Sequence, residues 1–501
     1  MKKSLSITIT IIIITLIRLL VLSRLDLFPD EAYYWDWSRF LSGGYFDHPP
    51  MVAWLVFLST SVLGDAYWGV KAVPLILGLG VTILACLFAK PYLKSSRSFV
   101  LLVIMASGTI LYAAGGLILT PDIPFLFFWA LGLFIGQKAL FEDKVIAWPL
   151  LGVVCGLGLL SKYVYILFIG AFALFLLMDK DYRKLWLSWK PWTALILAII
   201  TFLPNVFWNA RHEWVSYLFQ FGHGFNNDKT WPQIGLFFEY LGGQIGLFSP
   251  FLSVVLVMAI VHYVRKSAKE SKIFYLLIFL FVPLLFFAWS SFSARVEANW
   301  PAPAFLTGFV LVIWYYERVE NRVGTRRFIL FSITFTVILT ALLFAHAARP
   351  FLPIPARQDR TLDPAGWSEF AFDIAALRRQ VDPEKKLPLC ANTYQIASLL
   401  AFHSPDQPRT WALNLDSRTN HYALLEERAN VAFDTLFYVS NTRNGNMPNH
   451  MQKYFTSPEL VSTVVRRFAP AEVDSFALFK VTLSDIGREE LLNEADDMLH
   501  P

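Results

Sequence analysis

Apolar runs of about 18 residues or more, long enough to cross a hydrocarbon core about 30 Å thick, recur along the first 350 residues with some shorter ones between them. Lipid offers no hydrogen bonds, so the backbone of such runs must satisfy itself, as helices packed against one another. Reading the runs between charged or Pro/Gly-rich breaks gives eleven spans, near 5–23, 67–89, 98–113, 121–137, 145–160, 163–178, 191–208, 242–264, 273–290, 300–316 and 328–346. Composition agrees: 16% of the 501 residues are charged, where a soluble domain carries about 25%. The opening "MKKSLSITITIIIITLIRLLVLSR" has the charged start of a signal peptide. Its apolar part is longer than a signal core and no A-x-A-like site follows, so a retained first span is expected.

Lysine and arginine in the short loops orient the spans. One set of loops holds nineteen of them, from Lys2 and Lys3 through Lys90, Lys94 and Arg183 to Arg326 and Arg327; the opposite set holds six, Arg24, Arg39, Lys162, Arg211, Lys229 and Arg295. The asymmetry predicts a cytoplasmic N-terminus and, with eleven spans, an extracytoplasmic tail. Cys86 and Cys155 fall in apolar segments and Cys390 stands alone in the tail, so no disulfide within the tail is expected. Walker loop, C-x-x-C zinc pattern and basic nucleic-acid patch are all missing, which argues against nucleotide and nucleic-acid partners.

The residues of chemical interest sort to the outer side. In "FPDEAYYWDWSRFLSGGYFDHPPMVAWL" (28–55), Pro29 followed by Asp30 and Glu31 predicts a helix start. Tyr33, Tyr34, Trp37 and Phe40 then recur at helical spacing, as in a helix lying at the headgroup level. A turn at "YFDHPP" leads to a second apolar stretch ending near Leu63, so two interfacial helices form a shelf over about 28–63. Asp30 and Glu31 suit a helix end as dipole-compensating acids, but ionisable groups at this depth are functional by default. Asp47 and His48 come back to the same side after the turn. "LTPDIP" (119–124) is similar: Thr120 suits a cap and Asp122 a first turn, yet the loop is too short to lift Asp122 clear of the bilayer.

Among outer cations, Arg295 in "SARVEANWPAP" and Lys162 between two spans suit a phosphate, the arginine through its bidentate fork, and both also suit anchoring at a helix end. His212 and His223 are weaker candidates. Asp47 and His48 also have the chemistry to hold a divalent metal ion, the one possible cofactor.

"FPDEAYYWDWSRFLSGGYFDHPPMVAWLV", "ILTPDIPFLFFWALGLF" and "EANWPAPAF" together resemble the bacterial GT-C fold glycosyltransferases that use polyprenyl-phosphate sugars, a group including protein O-mannosyltransferases and the lipid A aminoarabinose transferase. The resemblance covers roughly residues 20–310. It implies a mainly α, polytopic transmembrane bundle and an inverting transfer of a sugar from undecaprenyl or dolichyl phosphate to an acceptor hydroxyl or phosphate. The acceptor would be lipid A, an envelope glycan or a protein, met at the outer face of the bacterial inner membrane among membrane lipids. It further implies Asp30 as general base, with Glu31 beside it in the catalytic pair, and Asp122 as the acid assisting the acceptor. Arg295, His48 and Lys162 are left as partners of the donor phosphate. Where the aminoarabinose transferases carry an acid-Lys-Pro-Pro turn, this chain has Asp47-His48-Pro49-Pro50, and a neutral histidine is a poorer phosphate partner than lysine.

The expected division is a catalytic membrane module over 1–349 and a small α/β periplasmic domain over 350–501. In the tail, "LPLCANTYQIASLLAFH" reads as strand then helix, "TLFYVSN" and "SFALFKVTL" as strands, and "REELLNEADDML" as an acidic helix. The rival reading is a transporter or flippase of a lipid-linked sugar; such proteins are built on internal repeats with midplane charges, whereas here no repeat stands out and the acids sit at the rim.

Overall fold

The computed structural model describes residues 2–225, 232–267, 269–413, 415, 419–424, 434–442, 445–468 and 471–491, with the backbone alone for 2–4, 223–225 and 471. In chain order the helices are α1 (Lys2–Leu22), α2 (Pro29–Ser38), α3 (Met51–Leu63), α4 (Tyr67–Ala89), α5 (Ser96–Gly108), α6 (Ile110–Gly115), α7 (Asp122–Phe141), α8 (Ala147–Ser161) and α9 (Ile166–Met178). They continue as α10 (Trp189–Arg211), α11 (Val215–Phe225), α12 (Ile234–Phe248), α13 (Pro250–Ser267), α14 (Ser271–Ser290), α15 (Ala304–Arg318) and α16 (Val323–Ala348). Helices α17 (Trp367–Val381) and α18 (Tyr394–His403) belong to the tail, with strands β1 (Leu389–Ala391), β2 (Thr410–Ala412), β3 (Thr435–Asn441), β4 (Glu459–Phe468) and β5 (Ala471–Thr482).

The chain is a multi-pass membrane protein. Among the described residues seven helices are long and apolar enough to cross a membrane: α1, α4, α7, α10, α13, α14 and α16. Every expected span finds a helix, but α5, α8, α9 and α15 have only 13, 15, 13 and 15 residues, so the count of eleven is not confirmed. Two expected spans are broken. Thr109, in extended conformation, separates α5 from α6, and Ser249 at φ 91° separates α12 from α13 inside the expected 242–264.

Packing explains the close helix pairs. α8 lies on α10 through Gly152 and Gly156; a Cβ at Gly152 would come within 2.3 Å of the Ala194 carbonyl. Without a hydrophobic drive between helices in lipid, such small-residue contacts gain their stability from dispersion. The bundle centre is aromatic: Trp129, Trp148, Tyr165 and Tyr275 are fully buried between α7, α8, α9 and α14.

In the tail, the sheet order is β2-β1-β3-β5-β4, with β1 parallel to β2 and β3, and β5 antiparallel to β3 and β4. The strands expected at 435–441 and 475–483 and the strand-helix pair of 387–403 are present. The expected acidic helix is described only as far as 491; the rest lies outside the described residues. α2 differs from expectation. Its residues 31–38 are all buried, because α18 covers it on one side and α3 on the other. The rings of Tyr33, Tyr34 and Trp37 therefore sit in protein rather than among headgroups, packed on Tyr394, Tyr422 and His421.

Candidate active site

Pro29 starts α2, and the Glu31 carboxylate reaches back to accept the Phe28 N–H at 2.8 Å, so one acid does cap the helix. The same side chain, 0% exposed, accepts Lys71 Nζ of α4 at 2.5 Å and the Leu119 N–H at 2.8 Å. Lys71 also donates to the Leu117 carbonyl at 3.2 Å. Glu31 thus ties α2 and α4 to the loop that carries Asp122. Its oxygens are engaged by these donors, whereas a base must reach the proton it takes, so the geometry suits Glu31 to holding the site together rather than to its expected place as a second catalytic acid.

Asp30, one residue earlier, is only half-buried. Its Oδ1 accepts the Tyr394 hydroxyl of α18 at 3.2 Å. Asp47, at the turn between α2 and α3, accepts the Tyr33 hydroxyl at 2.8 Å, and the Tyr33 oxygen accepts the His421 N–H at 2.8 Å. His48 lies beside the Tyr34 ring, 6.4 Å between centroids, with Gln220 Nε2 3.5 Å from its Nδ1. Gln220 also donates to the Asp47 carbonyl at 2.5 Å, so α11 props the turn.

Asp122 opens α7, yet no side chain caps that helix and Thr120 supplies only its carbonyl. The Asp122 carboxylate turns instead to Lys162 Nζ at 2.7 Å and Asn299 Nδ2 at 3.1 Å. Lys162 stands where the backbone swings to φ −159°, ψ 131° between α8 and the following turn, which frees its side chain from the helix. Its ammonium also lies 5.7 Å from the Trp300 ring centroid.

Tyr34 shows how these groups converge. Burial and the charges of Asp30, Asp47 and Asp122 together push its hydroxyl well above the usual tyrosine range. Three of the four carboxylates that the sequence singled out, Asp30, Asp47 and Asp122, thus act electrostatically on one hydroxyl. Beside them opens a cavity of about 480 Å³, lined by apolar side chains such as Val206, Phe286 and Phe287 of α10 and α14, with Lys162, Gln220, Ser290 and the tyrosines Tyr163 and Tyr217 as its polar members. Low-dielectric walls around one cation favour a ligand with an anionic head and a hydrocarbon body.

Arg295 is elsewhere. It is 69% exposed and pairs with Glu239 of α12 at 2.5 Å, at the rim. His212 is spent on the Trp208 carbonyl and ring, and the His223 side chain lies outside the described ones. Asp47 and His48 offer a metal ion two donors; among the described residues no three His, Cys, Asp or Glu side chains cluster as a metal site requires. Three contributors went unread, Lys71, Gln220 and Tyr394, and Tyr34 was read only as a ring at headgroup level. Lys71 carried a usable signal, a lone lysine inside the apolar run "YWGVKAVPLILG". Tyr394 carried none, since its partner is 364 positions away.

Residues 47–208 match the family model described as dolichyl-phosphate-mannose-protein mannosyltransferase. Among curated relatives, the lipid A galacturonosyltransferase RgtD of Rhizobium johnstonii is 26% identical over 304 residues, 58% of this chain and 60% of that protein. The undecaprenyl phosphate-alpha-4-amino-4-deoxy-L-arabinose arabinosyl transferase of Pseudomonas savastanoi pv. phaseolicola is 27% identical over 154 residues, 27% of this chain and 28% of its own length. The chain thus spans under two thirds of the length of either relative. Two crystal structures of ArnT from Cupriavidus metallidurans, one apo and one bound to undecaprenyl phosphate, superpose with TM-scores of 0.65 and 0.67 at 14% and 13% identity, over 94% of this chain and 97% of theirs. At that identity the likeness bears on the fold, and the chain is a multi-pass membrane protein of the ArnT-like GT-C fold.

Proposed function

We propose that this protein is an inverting glycosyltransferase that moves a sugar from undecaprenyl phosphate to an extracytoplasmic acceptor such as lipid A, an envelope glycan or a protein. The observation that carries the reading is the largely apolar cavity that Lys162 lines, with Asp122 paired to that lysine. A polyprenyl chain fills such a cavity and its phosphate meets the ammonium. The relatives named for lipid A and undecaprenyl-phosphate substrates support the same chemistry.

In this mechanism Asp30 takes the proton of the acceptor hydroxyl as its oxygen attacks the anomeric carbon. The carbon–oxygen bond to phosphate breaks on the opposite face, and polyprenyl phosphate leaves with the electron pair. Lys162, with His48 across the site, offsets the charge gathering on the phosphate. Asp122 orients Lys162 and lies by the acceptor; Arg295, out at the rim, meets headgroups instead. Glu31 is a positioning residue. Residues 1–349 form the catalytic module in the bacterial inner membrane, with the N-terminus cytoplasmic and the tail, 350–501, periplasmic.

The test is a reconstituted assay with a labelled undecaprenyl-phosphate sugar and lipid A. Transfer predicts label on the acceptor and release of undecaprenyl phosphate in equal amounts. Movement of the donor across the bilayer without release would overturn the reading in favour of a flippase.

A further inference from the structure

α18 approaches α2 with one face. Tyr394, Ser398 and Phe402 lie four residues apart, on one stripe of the helix. Tyr394 donates to Asp30 Oδ1 at 3.2 Å and its ring lies 4.4 Å from that of Tyr33. Ser398 is 3.5 Å from the Pro29 carbonyl, and Phe402 meets the Trp35 ring edge-on at 5.0 Å. Thr393 caps the start of α18 on the Ile396 N–H, which fixes the turn that presents Tyr394. Further along the interface the Tyr422 hydroxyl donates to Asp36 at 2.8 Å, and Arg39 donates to the Gln407 carbonyl at 3.1 Å. The tail is thus seated on the helix that carries Asp30 by contacts at both of its ends.

We infer that Tyr394 is a positioning residue for Asp30, supplied by the tail, so that the site is complete only when α18 is seated on α2. The inference rests on the proposed role of Asp30 as base. A hydroxyl on one carboxylate oxygen orients the group toward the acceptor and favours its ionised form. The donor here is a neutral hydroxyl, which orients Asp30 without adding a charge of its own beside the donor phosphate. The tail's part in the reaction is therefore chemical as well as covering.

The experiment compares Tyr394→Phe with Tyr422→Phe in the full-length reconstituted protein. Tyr394→Phe keeps the ring and its packing, and removes one donor. Its kcat/KM profile should show the acid limb moved up by about one pH unit, which is roughly a tenfold loss below the limb, with donor affinity unchanged. Tyr422→Phe removes an equivalent hydroxyl from Asp36 and should leave the limb where it is. An unmoved limb in Tyr394→Phe, or equal shifts in both variants, would overturn the inference. A second arm needs no turnover: p-benzoylphenylalanine in place of Tyr394 should photo-crosslink to the 29–38 peptide in intact membranes. No crosslink there refutes the seating of the tail. If the unmodified protein transfers no sugar, the proposed function falls, and the crosslink alone decides whether α18 is seated on Asp30's helix.

Discussion

A carboxylate without water around it must be neutralised where it stands, and Glu31 is, by Lys71 Nζ at 2.5 Å and two backbone N–H groups. Removing one partner of such a pair strands the other charge, at a cost of about 3–5 kcal/mol. Glu31→Gln should therefore lower the unfolding temperature in detergent sharply, and Glu31→Gln with Lys71→Met should recover most of it. A thermal melt of the two variants checks this; a double variant no better than the single one would contradict it. Lys162 is buried but lines the cavity, and its partner Asp122 keeps about a fifth of its side chain exposed (22%), so their loss should appear in turnover more than in folding. Lys162→Met should raise the donor KM by about 10–100-fold, the worth of one charge-assisted hydrogen bond to phosphate. Asp122→Asn should lower kcat without raising that KM, since it leaves the ammonium in place. Arg295→Gln should change either constant little, because an exposed pair is worth about 0–1 kcal/mol. Steady-state kinetics of the three variants separates these outcomes.

At the scale of elements, the parts of the site that could be read from sequence are those set by local chemistry. Pro29-Asp30-Glu31 announced the start of α2 and Pro49-Pro50 that of α3, because helix ends and turns depend on neighbours in the chain. The break at Ser161-Lys162 showed as an awkward pair of spans and is the bend that presents Lys162. Burial of α2 was not legible: Tyr33, Tyr34 and Trp37 have the same spacing whether they meet headgroups or α18, and only tertiary packing decides. The duty of Asp122 was ambiguous for the same reason, since a first-turn acid and a partner of Lys162 look alike until α7 and α8 are side by side. The cavity has no sequence signature at all, being a space between α10 and α14. It can be probed at Val206, which lines it. Val206→Trp should fill part of the space and raise KM for an undecaprenyl donor several-fold, and less for a donor with a much shorter prenyl chain, with kcat little changed. Equal effects on both donors would mean that the chain lies elsewhere.

For the whole molecule, apolar length was enough to foresee a membrane bundle followed by a small α/β tail, while the seating of one on the other depends on contacts hundreds of residues apart. Two histidines make that seating sensitive to acid. His421 is buried against Trp37 and Tyr45, its Nδ1 accepts the Phe46 N–H at 3.4 Å, and burial, with Arg409 and His212 nearby, pushes its pKa down to about 3. His403, at the end of α18, bonds the Ser368 hydroxyl through Nδ1, and burial pushes it down to about 4. A histidine held neutral in the folded protein gains its proton only on unfolding, near the ordinary pKa of about 6.5. Stability is therefore full above that pH and is lost as pH falls below it, by about 1.4 kcal/mol per unit for each histidine, until the folded pKa is reached. Carboxylates with depressed pKa, such as Asp406 by Lys385, add a second loss below about pH 4. As pH falls from 7 to 5 the depressed histidines act before the carboxylates with depressed pKa, while burial raises the pKa of Asp26 and Asp363 and opposes the loss lower down. The tail should melt earlier at pH 5 than at pH 7, and His421→Asn should flatten that slope by about one proton's worth even if its melting point at pH 7 is lower. Melting curves of the intact protein across this range, followed by protease accessibility of the 394–424 segment, provide the check; a slope unchanged by His421→Asn would show that this histidine is already charged, or already free, in the folded state.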